Sequence, residues 1–181
     1  MPGQALAPLP AAYASGSELK PAPNKSELPI SNPLLELYAV TDMSRVALVH
    51  LNTHTDERGR LTAVEGDSEI PFPIRRIFYV YNVQPDDERG GHAHPNTEQF
   101  LIAMAGSLDI DVMAPNTTKT FHLDDPSLGL YVPEMLWVRL YNFTPDAVCF
   151  AAANTHYAEE DVIREWEEYR RQAPKWKRAA G

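Results

Sequence analysis

The sequence predicts an all-β domain: a sandwich or barrel of short strands, with one terminal helix. Three observations carry this. Short apolar runs recur at close intervals from Val46 onward, turn residues (Gly, Pro, Asn, Asp) separate most of them, and the gaps are too short for repeated helical crossovers. Such punctuation suits a sheet folded on itself rather than a parallel α/β layer.

The strand candidates run in order along the chain. Val46–Val49 and Leu61–Val64 flank the turn-like Asp56-Glu57-Arg58-Gly59. Then come Arg75–Tyr81, Gln99–Ala105, Leu108–Met113, Lys119–Leu123, Gly129–Val132, Trp137–Tyr141 and Ala147–Ala152. The one persuasive helix spans Glu159–Arg171, where Ile163, Trp166 and Tyr169 or Arg170 fall near one face that would cover a sheet or a partner subunit. Residues 1–40 are rich in Pro, Ala and Ser and lack steady periodicity, so they read as a flexible or surface-wrapped extension. Residues 41–181 read as the domain itself.

A length of 181 residues suits one hydrophobic core. Sixteen basic against 25 acidic residues leave a formal charge of −9, which argues against a nucleic-acid backbone or an anionic membrane as partner. A small phosphorylated ligand held by a few local arginines remains compatible. There is no apolar run of transmembrane length and no basic leader, so a cytoplasmic location is expected. Cys149, the lone cysteine, sits in the apolar run Ala147-Val148-Cys149-Phe150 and reads as a buried strand thiol.

The chemistry concentrates in Arg89-Gly90-Gly91-His92-Ala93-His94-Pro95-Asn96-Thr97-Glu98-Gln99. In an extended strand, residues two apart share a face, so His92 and His94 project together. Glu98 can join them beyond the corner marked by Pro95 and Asn96. Two histidines and a glutamate at this spacing match the first metal-binding stretch of the cupin barrels. The second cupin stretch corresponds to Pro133-Glu134-Met135-Leu136-Trp137-Val138-Arg139-Leu140-Tyr141-Asn142, where Met135 replaces a glycine and Val138 replaces the last histidine ligand. Valine offers no lone pair. A metal-dependent cupin enzyme using His92, His94 and Glu98 stays an alternative, one ligand short of the usual set.

A longer set of stretches points further. Asp56-Glu57-Arg58-Gly59-Arg60-Leu61, Ile70-Pro71-Phe72-Pro73-Ile74-Arg75-Arg76-Ile77-Phe78-Tyr79, Arg89-Gly90-Gly91-His92-Ala93-His94, Leu123 to Val132 and Glu159-Glu160-Asp161-Val162-Ile163-Arg164 together resemble the WxcM-like/FdtA family of cupin (RmlC-like) sugar 3,4-ketoisomerases. The resemblance implies a jelly-roll barrel with no metal and no cofactor. It also implies a homodimer with exchanged N-terminal strands, and a reaction that turns dTDP-4-keto-6-deoxyglucose into a 3-keto sugar. Departures gather near the histidines: Gly91, Pro95, Val138 and His156 stand where members usually carry Phe, a basic residue, His and Tyr.

The residues suit that reaction. The hydrogen on C3 of a 4-keto sugar is acidified by the neighbouring carbonyl, and its removal gives an enediol or enediolate spanning C3 and C4. A base, a route for proton return and donors for the developing oxygen charge are enough. Imidazole is partly neutral near neutral pH. The resemblance makes His94 the base and His92 its orienting or shuttling partner, with Tyr79 as hydroxyl donor. Arg89 and Arg76 are the candidates for the nucleotide diphosphate, since the guanidinium fork pairs well with phosphate oxygens. Glu98 completes the substrate-facing set by orienting a histidine. A related epimerase and a catalytically silent sugar-nucleotide binder are the remaining alternatives.

Overall fold

In a computed structural model, which describes residues 43–175, eleven strands and one α-helix follow a short 3₁₀ turn at Met43–Arg45. The expected extension, 1–40, lies outside the described residues. The strands are β1 (Ala47–His50), β2 (Thr53–Asp56), β3 (Gly59–Thr62), β4 (Arg76–Tyr81), β5 (Arg89–Ala93), β6 (Gln99–Ala105), β7 (Leu108–Ala114), β8 (Thr117–Leu123), β9 (Leu128–Val132), β10 (Trp137–Tyr141) and β11 (Val148–Ala153). One sheet has the order β1-β9-β6-β11-β4, a second has β5-β10-β7-β8, and β2-β3 form a separate hairpin. All the pairings between these strands are antiparallel. This is the jelly-roll architecture with a C-terminal helix.

Alternation explains the layering. In β7, Leu108, Ile110, Val112 and Ala114 point inward and are buried, and they meet Leu101, Ala103, Leu130, Cys149 and Ala151 of the opposite sheet. Each fully buried Leu, Ile or Val here contributes about 1.5–3 kcal/mol of transfer free energy. The outer face of the five-stranded sheet is covered by the loop from Leu51 to Ile74, whose Ile70 and Phe72 pack on Phe100, Ile102 and Tyr131. The outer face of the four-stranded sheet is covered by the C-terminal segment, with Ile163, Tyr169 and Ala173 against Ala93 and Trp137.

The helix is shorter than the periodicity predicts. Glu159–Asp161 form a 3₁₀ turn, Ile163 makes a β-bridge to Ala93, and the α-helix α1 covers only Trp166–Gln172. Ile163, Trp166 and Tyr169 do share one packed surface, as the pattern requires. Ile163 reaches that surface from an extended backbone, because its N–H and C=O exchange hydrogen bonds with Ala93 at 2.9 and 3.0 Å. β-Branched Val162 and Ile163 suit that extended state. Within α1, Glu167 and Glu168 lie in the first turn and Arg170 and Arg171 in the last, which complements the helix dipole.

Candidate active site

A cavity of about 360 Å³ lies between the two sheets, near the edges formed by β4 and β5. Its floor is apolar and buried: Leu101, Val138, Leu140, Cys149 and Ala151, with the half-buried Phe78 and Val80 beside them. Its mouth carries Arg76, Arg89, Gln99, Tyr157 and Arg164, and both His92 and His94 line it. Among the described residues, no carboxylate lines it. Burial also pushes the Cys149 thiol up to about 12, so it serves as floor and not as nucleophile.

The histidines owe their positions to a bulge. Across β10, Val138 faces His92 but Arg139 faces Gly90, so Gly91 is the extra residue. Gly90 and Gly91 take φ of +79° and +66°, which side chains rarely allow. A Cβ on Gly90 would lie 2.5 Å from the carbonyl oxygen of Val138. The bulge turns His92 inward, and β5 ends at Ala93. His94 is held at the following turn, where its carbonyl accepts the Met135 N–H at 2.7 Å. Met135 keeps a φ of +58° in the place where cupins usually have glycine.

The two rings meet edge to face, with centroids 4.7 Å apart, an interplanar angle of 90° and Nε2 atoms 3.0 Å apart. His92 Nδ1 lies 2.9 Å from the Gly90 carbonyl oxygen. A carbonyl only accepts, so Nδ1 of His92 carries a proton. The Nε2 lone pair of neutral His92 then accepts from Nε2–H of His94, a tautomer assigned by the hydrogen-bond network. Nδ1 of neutral His94 is left with an uncommitted lone pair. Burial first, then the charge of His92, Arg76 and Arg164, lowers the His94 pKa to about 4. Burial likewise lowers that of His92, outweighing the raising effect of the Gly90 hydrogen bond. Both imidazoles are therefore neutral at neutral pH.

Residues 44–174 match the family described as FdtA: WxcM-like, C-terminal. The chain belongs to this family. Among its curated relatives, the TDP-4-oxo-6-deoxy-alpha-D-glucose-3,4-oxoisomerase of Aneurinibacillus thermoaerophilus is 34% identical over 116 residues, 64% of this chain and 84% of that protein. A histidine-to-asparagine mutant of the 3,4-ketoisomerase QdtA from Thermoanaerobacterium thermosaccharolyticum, solved with TDP-4-keto-6-deoxyglucose, is similar at 37% identity. That match has a TM-score of 0.70 and covers 72% of this chain and 94% of the other. A 3,4-ketoisomerase from Helicobacter canadensis matches at 36% identity with a TM-score of 0.70, covering 71% and 97% of the two chains. The RmlC epimerase of Mycobacterium tuberculosis, 15% identical with a TM-score of 0.59 over 67% of this chain and 68% of that one, shares the fold.

For this FdtA-family chain, the structure brings together four of the six residues singled out by sequence: His92, His94, Arg89 and Arg76. Tyr79 is not among them. β4 alternates, so Arg76, Phe78 and Val80 face the cavity while Tyr79 is 64% exposed on the other face, against Tyr81. Glu98 is also displaced. The corner after His94 reverses the parity of the chain, so Gln99 and Leu101 line the cavity and Glu98 turns away, 6% exposed. Its carboxylate receives hydrogen bonds from Arg45, Tyr131 and Asn154, and Arg45 also pairs with Glu134 at 3.1 Å.

That displacement bears on a metal. Among the described residues no three His, Cys, Asp or Glu side chains cluster as ligands. Val138 stands opposite His92, and the two Nε2 atoms are directed at each other, so the donor set does not fit a cupin metal.

Three cavity residues escaped the reading of the sequence. Gln99, Tyr157 and Arg164 line the mouth, the last two carried by the segment after β11. Arg76 lies between the rings of Phe78 and Tyr157, its guanidinium carbon 5.2 and 5.4 Å from their centroids. Its Nε is buried with no hydrogen-bond partner among the described residues, and burial lowers its pKa. Only the family stretch Glu159 to Arg164 hinted at Arg164; nothing local distinguished it from a helix-surface charge.

Proposed function

We propose that the chain is a cytoplasmic nucleotide-sugar 3,4-ketoisomerase that converts dTDP-4-keto-6-deoxyglucose into a dTDP-3-keto-6-deoxyhexose. The observation that carries the proposal is the neutral imidazole pair in an apolar-floored cavity whose mouth holds, among the described residues, three guanidiniums and no carboxylate, in a member of this family. Among the described residues, no helix is long and apolar enough to cross a membrane.

The chemistry follows from the pair. His94 takes the C3 hydrogen as a proton at its free Nδ1. The imidazolium that forms donates through Nε2–H to His92, whose Nδ1–H stays on Gly90, so the new charge is met by an aligned acceptor. Gln99 and Tyr157 offer donors to the oxygen that becomes negative in the enediolate. His94 then delivers a proton to C4. O3 gives up its hydroxyl proton and O4 gains one, so the ketone moves to C3 with no net change in protons or electrons. Arg76 and Arg89 hold the diphosphate, and the apolar floor takes the deoxygenated C6 end of the sugar.

The working unit in this reading is a homodimer with exchanged N-terminal strands. Ile77, Tyr79 and Tyr81 expose an apolar stripe on β4, 56%, 64% and 55% accessible, and β4 is an edge of its sheet. An edge with such a face invites pairing unless it is covered. A second copy of the chain is the occupant proposed, and light scattering of wild type against Ile77→Glu tests it. Dimers that become monomers are expected; a monomeric wild type overturns this part.

Incubation with dTDP-4-keto-6-deoxyglucose in deuterated buffer, followed by NMR, tests the reaction. A 3-keto product carrying deuterium at C4 is expected. Deuterium at C3 of a 4-ketone whose C3 configuration is inverted would instead mark the epimerase.

A further inference from the structure

His94 sits one residue past the end of β5, and the C-terminal segment braces that position from outside the barrel. Ala93 is fully buried and exchanges two backbone hydrogen bonds with Ile163. The His94 carbonyl accepts the Met135 N–H at 2.7 Å, from the turn between β9 and β10. Met135 is 1% exposed and lies in the apolar cluster of Ala93, Trp137, Ile163, Tyr169 and Ala173, with Trp166 packed against it. α1 is itself tied to the barrel wall. The Tyr169 hydroxyl donates to the Met113 carbonyl at 2.8 Å, and the rings of Trp137, Trp166 and Tyr169 stack around one another at 5.2 to 5.6 Å.

The backbone of Met135 is a second, independent observation. Among the described residues, the non-glycine positions with positive φ are Asp67, Asn82, Asn142 and Met135. Asp and Asn tolerate that region because a short polar side chain can bond locally. Methionine has no such compensation, and glycine would take the same φ without strain. Backbone strain persists only where the surroundings over-determine it. Here the surroundings are the cluster beneath α1, which a glycine could not fill.

We propose that Met135 is a positioning residue for His94: its side chain, clamped between the barrel wall and α1, holds the turn whose N–H fixes the backbone of the base. This deepens the ketoisomerase reading and rests on it for the role of His94. The hold matters for a geometric reason. His94 has to keep its Nε2 at 3.0 Å from Nε2 of His92 while its Nδ1 meets the substrate carbon. A misplacement of about 1 Å costs on the order of a hundredfold in such a step. Met135 does not line the cavity, so it acts on the reaction only through the place it gives His94. The C-terminal helix, which also stays outside the cavity, thereby becomes part of the machinery that aims the base.

Turnover of the 4-keto sugar and NMR titration of the ligand-free protein, on wild type, Met135→Gly, Met135→Leu and Trp166→Leu, test the assignment. Met135→Gly keeps the φ of the turn accessible and removes the clamp. Its kcat per folded molecule is expected to fall roughly tenfold or more, with KM within about twofold. Met135→Leu refills the cluster and should recover most of that loss. Trp166→Leu loosens the same clamp from the half-buried side of α1, and should lower kcat in the same sense by a smaller factor. In the titration, His94 should protonate closer to the ordinary histidine range in Met135→Gly than in wild type, because a ring released from its place is better hydrated. Wild-type kcat in Met135→Gly overturns the proposal, as does a loss confined to KM or an unmoved His94 titration. Should Met135→Gly fail to fold, the same readings on Trp166→Leu decide. A wild type that leaves the 4-keto sugar unchanged removes the ketoisomerase reading, and the His94 titration then judges Met135 by itself.

Discussion

Two polar clusters lie within a few residues of each other in sequence and differ in how their charges are met. Around Glu98, every demand is answered: Arg45 bridges Glu98 and Glu134, Tyr131 and Asn154 donate to the same carboxylate, and the ends of β6, β9 and β11 are tied together. Around His94, demands are left open. Among the described residues, Arg76 Nε is buried without a partner, no acid lines the cavity, and a neutral imidazole retains a lone pair. Satisfied buried charge holds a structure together, whereas unsatisfied charge in a cavity is a place prepared for something else. The comparison assigns stability to one cluster and chemistry to the other.

The largest expected effect breaks the second cluster. His94→Asn should lower isomerisation by roughly a thousandfold, within the usual range for loss of a general base, with dTDP affinity and the melting temperature nearly unchanged. Turnover close to wild type would remove His94 as the base.

Arg45→Met should do the reverse. It removes the guanidinium that bridges two buried carboxylates and should cost about 3 kcal/mol in urea unfolding, while kcat per folded molecule stays within about twofold. A large fall in kcat with normal stability would reassign this network to catalysis.

Acid sharpens the contrast. His94 titrates at about 4 when folded and near its ordinary 6.5 when unfolded, so between those values the unfolded chain binds the extra proton. Stability is then full above about pH 6.5 and declines as pH falls towards 4, by roughly 2–3 kcal/mol after allowing for solvent screening. His92, lowered in the same sense, adds to the loss. Denaturation midpoints across this range should fall less steeply in His94→Asn. An identical slope in both proteins would refute the buried neutral state.

The smallest effect concerns Tyr79. Since β4 turns its hydroxyl away from the cavity of its own chain, Tyr79→Phe should leave kcat and KM within about twofold, measured by the same turnover assay.

Much of the architecture was legible because period-two alternation reports burial directly. Gln99–Ala105 and Trp137–Tyr141 form as predicted, and most other strands shift by a residue or two at their ends. Two strands were missed: the hairpin strand Thr53–Asp56, which is polar and largely exposed, and β5, whose Gly90 and Gly91 interrupt any strand pattern. The helix was misplaced for a definite reason. Ile163, Trp166 and Tyr169 do share a surface, but a shared surface does not specify backbone conformation, and Ile163 reaches it as a strand.

By itself, the sequence determined the alternating strands, the family, and the presence of His92, His94 and the arginines near one another along the chain, because local periodicity and short motifs record burial and chemistry within a few residues. Only the tertiary structure decided which face each side chain takes after a corner or a bulge. Gly91 turns His92 inward, the bend after His94 sends Glu98 to Arg45, and β4 carries Tyr79 outward. Arg164 arrives from seventy residues beyond His94 through a single β-bridge to Ala93. Such placements follow from pairing across the sheet, which residues distant in sequence settle together, so no local pattern carries them.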